Sequence, residues 1–161
     1  YLSLLEASFV VSRLPPFLVN EATRLIKAPK LFVSDAGLAA HLAGLSTEDS
    51  GAAGSFRGAL WETYVAQNLQ GMLAAEWPGA RLAYWHIQGR HEVDFVVESG
   101  RDCLAIEVKA AQRWTDRDLS GLRIFLERTP RCRIGLLAHT GGATVSLGER
   151  LWAIPIPALL S

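Results

Sequence analysis

Cysteine is scarce in this chain, and charge of one sign does not predominate. Two cysteines, Cys103 and Cys132, occur among 161 residues. They fall in expected strands and make no CxxC pair, so they read as small buried hydrophobes in a reducing, cytoplasmic compartment. Lysine plus arginine and aspartate plus glutamate number 16 each, for zero formal charge. Global electrostatics therefore supply no attraction to nucleic acid, and any such contact has to rest on local patches. No run approaches the roughly 18 uninterrupted apolar residues of a membrane helix, and no secretory leader is legible, so no membrane partner is expected. Also missing are a GxxxxGK[ST] phosphate loop, a GxSxG nucleophile elbow, internal repeats and low-complexity tracts. What remains is apolar: 50% of the residues are hydrophobic and five are tryptophan. That suffices for one substantial core and argues against wholesale disorder. The chain starts at Tyr1 inside a helix-like pattern, without methionine, and reads as part of something longer.

The most informative stretch runs from His91 to Lys109. His91-Glu92-Val93-Asp94-Phe95-Val96-Val97 and Cys103-Leu104-Ala105-Ile106-Glu107-Val108-Lys109 read as two strands. The polar, glycine-bearing segment between them suits a hairpin loop. Strand alternation sends Glu92, Asp94 and Val96 one way and Val93, Phe95 and Val97 the other. It likewise groups Ala105, Glu107 and Lys109 on one face, with Leu104, Ile106 and Val108 on an apolar one. Pairing Glu98 with Cys103 would set Asp94 opposite Glu107 and Glu92 opposite Lys109. Three carboxylates and one amine then share a small patch.

The rest of the chain divides around this hairpin. Phe9 to Leu14 reads as a strand stopped by Pro15-Pro16, and Lys30 to Ser34 as a second strand. Asp35 offers an N-cap for a short helix through Leu42. Residues 1–45 thus suggest the remnant of a winged-helix element, and 46–55 a linker. The remainder, 56–161, is expected to form the main domain. A long helix is predicted over 56–76 and ended by Pro78-Gly79, followed by a strand from Arg81 to Ile87 and a turn at Gly89. Thr115 and Asp118 resemble a capping box opening a helix to about Arg128. Cys132 to Ala138 reads as a strand parallel to its neighbour, because a helix crosses over before it. Trp152-Ala153-Ile154-Pro155 suggests an edge strand, since proline is poorly tolerated inside a sheet.

Helix, three-strand meander, helix, strand, with Asp94 on the second strand and Glu107-Val108-Lys109 on the third, resembles the PD-(D/E)xK nuclease-like superfamily. More narrowly, nearly the whole chain is similar to the domain-of-unknown-function family 4143. The matching features are Lys30 to Asp35 with Gly37-Leu38, then Gly58 with Glu62, then Glu92-Val93-Asp94-Phe95, then Glu107-Val108-Lys109. The resemblance implies an α/β (α+β) fold with a restriction-endonuclease-like core. It also implies attachment to an N-terminal AAA-type ATPase domain in the full-length protein. For chemistry it implies metal-dependent hydrolysis of DNA phosphodiester bonds. Mg²⁺ or Mn²⁺ would be held by Asp94, Glu107 and the Val108 backbone carbonyl, with Glu62 assisting from the long helix. Lys109 would orient the attacking water or stabilise charge in the transition state. Glu92 and Gln112 would be accessory. On a helical wheel Glu62 lies within about 60° of Gly58, Val65, Ala66, Leu69 and Leu73. Such a small, apolar face requires that its charge be compensated.

Against this stands a catalytically inactive DNA- or protein-binding module regulating the ATPase. Arg13, Arg24, Lys27, Lys30 and Arg113 are candidate nucleic-acid contacts. Most arginines between 112 and 133 read as a solvated helix face instead, with Arg123 paired to Glu127. His86 and His91 match no firm metal spacing. The apolar tail from Leu151 to Ile156 leaves room for oligomer formation.

Overall fold

The computed structural model describes residues 1–17, 28–45, 54–87 and 91–161. The turn expected at Gly89, most of the linker expected over 46–55, and the candidate contacts Arg24 and Lys27 lie outside the described residues. The elements are α1 (Leu2–Ala7), β1 (Val11–Leu14), β2 (Lys30–Val33), α2 (Ala36–Leu42), α3 (Gly54–Glu76), β3 (Arg81–Ile87), β4 (His91–Ser99) and β5 (Asp102–Lys109). A 3₁₀ turn (Asp116–Leu119) then leads into α4 (Ser120–Arg128), β6 (Cys132–His139), β7 (Val145–Gly148), β8 (Leu151–Pro155) and α5 (Ile156–Leu159).

Six strands form one sheet in the order β3-β4-β5-β6-β8-β7, and β1 and β2 pair separately as an antiparallel ribbon. The meander β3–β4–β5 is antiparallel, and β6 returns parallel to β5 after the α4 crossover. Glu98 pairs with Cys103, as the loop geometry requires. The strand ending in Pro155 is not an edge, contrary to expectation: β8 lies between β6 and β7. Pro155 closes the strand opposite His139, so its missing N–H affects only the last rung of the ladder. The edge is β7, which the sequence pattern does not announce.

Apolar side chains fill both faces of the sheet. Toward α4 lie Val93, Val96, Ala105, Leu122, Phe125, Leu126 and Leu137. Phe125 takes Phe17 and Trp85 edge-on, each with ring centroids 5.2 Å away. The close approach of α4 depends on Gly121, where a Cβ would meet the Glu92 carbonyl oxygen at 2.1 Å. Toward α3 lie Val65, Ala66, Leu69, Leu73, Phe95 and Ile106, joined by Leu14 of β1 and Phe32 of β2. The stretch after β1 continues onto the free edge of β3: Phe17 N–H donates to Tyr84 at 2.6 Å and Tyr84 N–H to Pro15 at 2.9 Å.

One irregularity overturns the simple alternation expected for β4. Ala83 pairs with Val96 and Trp85 with Val93, so Asp94 and Phe95 together oppose Tyr84. This bulge turns Val96 to the α4 side with Val93, away from the face expected to carry Asp94.

Candidate functional site

The acids gather where β4 and β5 part company. The paired positions run from Ser99–Asp102 to Phe95–Ile106. At the next step a side chain replaces the backbone rung: Asp94 Oδ2 accepts the Val108 N–H at 2.9 Å. Because the N–H and C=O of a strand residue point the same way, the Val108 carbonyl also faces this seam. Asp94 in turn directs its own N–H to the Glu107 carboxylate. Glu107 Oε2 is buried and has no hydrogen-bond partner.

Above the seam, α3 contributes Glu62 and β2 contributes Lys30. The Lys30 ammonium touches Glu92 Oε1 and lies 3.4 Å from Asp94 Oδ1 and 4.0 Å from Glu62 Oε2. Its Nζ also stands 5.5 Å from the Tyr84 ring centroid. One cation thus faces a group of carboxylates, and their proton affinities register the imbalance. Burial, then the charge of Asp94, pushes Glu107 up to about 10, opposed by the Asp94 N–H. Burial and Asp94 raise Glu62 to about 7, with Lys30 opposing. Asp94 is itself raised by burial, although Lys30 and the Val108 N–H pull the other way. Burial pulls Lys30 down, but Asp94, Glu92 and Glu62 together carry it above its ordinary value.

Glu62, Glu92, Asp94 and Glu107 are therefore brought together as expected, whereas Lys109 is not. Lys109 shares its face of β5 with Glu107, but its ammonium is drawn to the 3₁₀ turn before α4, 2.5 Å from Asp118 Oδ1. Asp118 is fixed by a capping box, its Oδ2 accepting Thr115 N–H at 2.7 Å and Thr115 Oγ at 2.9 Å. Burial acts to raise Asp118, but Lys109 and Thr115 hold it below the usual carboxylate range. Gln112 and Arg113 are exposed beyond the end of β5. Of the other basic candidates, Arg13 is paired with Glu6 at 2.6 Å. Arg123 pairs with Asp116 rather than with the expected Glu127, and Arg131 and Arg133 pair with Glu98 and Asp102. His91 keeps a buried Nδ1 without a hydrogen bond.

Two participants escaped sequence reasoning. From sequence Lys30 reads as part of a basic patch rather than as a partner of the acids, because its contact with Asp94 spans 64 positions. The capping role of Asp118 was legible; its grip on Lys109 was not.

The donor chemistry suits a hard divalent cation, since carboxylates, a carbonyl and an unpartnered carboxylate oxygen are all present. Their arrangement does not. Among the described residues no three His, Cys, Asp or Glu side chains form a group able to hold a metal ion. A lysine ammonium already stands between the acids, so the residues as arranged do not fit a resident Mg²⁺ or Mn²⁺. A groove of about 440 Å³ lies elsewhere, lined by Arg57, Leu60, Trp61, Tyr64 and Ile156 among others. Among the described residues no helix is long and apolar enough to cross a membrane.

Comparison with known proteins adds family relationships. The domain of unknown function DUF4143 matches residues 57–159, and a second, DUF8612, matches residues 1–49. The uncharacterized proteins Rv2008c of Mycobacterium tuberculosis and Mb2031c of Mycobacterium bovis are each 27% identical over 161 residues. All of this chain is covered, but it spans only 35% of the length of either relative. Among solved structures, an assembly of Thermococcus gammatolerans McrB AAA+ hexamers with bound McrC matches 61% of this chain and 27% of that one. The TM-score is 0.43 and the identity 12%.

Proposed function

This chain belongs to the DUF4143 family, and from that premise we propose that it is the nuclease-like module of an AAA-type ATPase, acting as a regulatory, protein-facing element rather than as a phosphodiesterase. One observation carries the choice: both lysines that hydrolysis would call upon are committed elsewhere. Lys30 is paired with Glu92 and Asp94, and Lys109 is held by Asp118. So engaged, neither ammonium is free to meet a phosphate, position a water or stabilise a developing oxyanion. The pairing of Arg13, Arg123, Arg131 and Arg133 with carboxylates also leaves them poorly placed as a phosphate-binding surface. Exposed apolar side chains, among them Leu4, Phe9, Leu42 and Trp77, suit contact with protein, including further copies in an oligomer.

A second reading, a Mg²⁺- or Mn²⁺-dependent DNA phosphodiesterase, is favoured by the unpartnered Glu107 oxygen. One experiment separates the two. The full-length protein is incubated with plasmid and single-stranded DNA in either metal, and its ATP turnover is compared with that of a protein lacking this module. The regulatory reading expects altered turnover and no cleavage. Metal-dependent cleavage that disappears in Glu107→Ala would establish the phosphodiesterase instead.

A further inference from the structure

We propose that in this chain the tethered ammonium of Lys30 takes the place of a divalent cation, and that this charge locks the β1–β2 ribbon onto the acids of the sheet. The proposal deepens the regulatory reading and rests on it. Lys30 opens β2, and Phe32, two residues on, shares its face. Phe32 is buried against α3 and β4 in the cluster that also holds Val65 and Phe95. Seating Phe32 therefore delivers the ammonium to Glu62 of α3 and to Glu92 and Asp94 of β4. Across the ribbon, Lys30 pairs with Leu14, which is 1% exposed and anchors the same cluster.

The ribbon is thus held in two ways, by apolar burial and by charge. The two respond to different perturbations. Lifting β2 would leave Glu62, Glu92, Asp94 and Glu107 without their shared cation, a cost that opposes release. A divalent cation entering the same space would repel the ammonium at a separation of a few ångströms. Ribbon docking and metal binding are therefore alternatives at one location. Whatever pulls on β1–β2 controls whether the acids are available.

The test measures amide hydrogen exchange at Leu31–Val33 in the full-length protein, with β5 amides as internal reference. Lys30→Met is expected to speed exchange in β2 about tenfold relative to β5, and millimolar Mn²⁺, held by the acids with no ligand from the ribbon, does not bring it back. In the wild type, Mn²⁺ and EDTA leave exchange unchanged, and Lys30→Arg stays within about twofold of it. Should Lys30→Met not fold, Glu92→Gln removes the closest contact and is expected to speed β2 exchange about threefold. Unchanged exchange in whichever of these two variants is measured overturns the proposal, as does Mn²⁺ binding to the wild type that Asp94→Asn abolishes. Failure here is distinct from failure of the regulatory reading, which DNA cleavage by the wild type or ATP turnover unaltered by loss of the module would bring down.

Discussion

Glu62→Gln isolates the charge imbalance of the acidic hollow. Glu62 has its proton affinity raised from an ordinary 4.5 to about 7 by burial and by Asp94. Below about pH 4.5 the carboxyl is protonated whether the chain is folded or not, and stability is whole. Between 4.5 and about 7 the folded protein retains a proton that the unfolded chain has released, so stability falls as pH rises through that window. Above it both states are ionised, and the loss is complete. At about 1.4 kcal/mol for each tenfold change in proton affinity, the upper limit is about 3.5 kcal/mol. Because the side chain is 31% exposed, solvent screening reduces this to about 1–2 kcal/mol. Glutamine cannot ionise, so the variant should match the wild type near pH 4.5 and exceed it at pH 8. Urea denaturation at several pH values reads the difference as a midpoint shift of about 0.5–1 M at pH 8. A lower midpoint for the variant at pH 8 would mean that the Lys30–Glu62 pair outweighs repulsion and burial, and the account of the hollow would be wrong.

Replacing Gly121 with alanine puts a Cβ 2.1 Å from a backbone oxygen that cannot rotate away; the helix must lift, costing about 3 kcal/mol or roughly 6–12 °C of melting temperature. Asp118→Ala removes both a capping box and the partner of Lys109 and should cost about 1–2 kcal/mol by denaturant titration. Lys109→Ala, at a side chain 40% exposed, should cost less than about 1 kcal/mol. Since Asp118 is held below its ordinary value, its contribution is present at neutral pH and is lost as pH falls below 3.8, so the deficit of Asp118→Ala should shrink in acid. Asp94→Asn keeps an acceptor for the Val108 N–H, whereas Asp94→Ala orphans that donor; calorimetry should show the alanine variant about 1–3 kcal/mol less stable than the asparagine one.

Much of the fold was legible because local and global signals agree. Apolar alternation in β5 matches its two buried faces, and the Glu98–Cys103 register follows from loop length. Pro78-Gly79 ends α3 where expected. The convergence of Glu62, Asp94 and Glu107 was readable too, from their order along helix and strands. The internal placement of β8 was not, because Pro155 carries the same signature at a strand's end as on a sheet's edge. Nor could the commitment of Lys30 and Lys109 be read, since each depends on a partner brought in by packing. Sequence spacing shows which charges share a face; it does not show which counter-charge arrives from another element.

The β4 bulge ties these partial failures to the site itself. With strict alternation Val96 would turn toward α3 and leave the α4 core short of a side chain. The added residue instead keeps Val93 and Val96 on one face and sets Asp94 beside Phe95 opposite Tyr84. From there Asp94 reaches the Val108 N–H and meets Lys30, so a single carboxylate closes the β4–β5 seam and receives the ribbon. Regular pairing could not perform both tasks, because a side chain in register would stand perpendicular to the sheet rather than reach along its edge. The departure from the simple pattern is therefore what assembles the acidic hollow. It makes Asp94 a structural residue whether or not a metal ever reaches it.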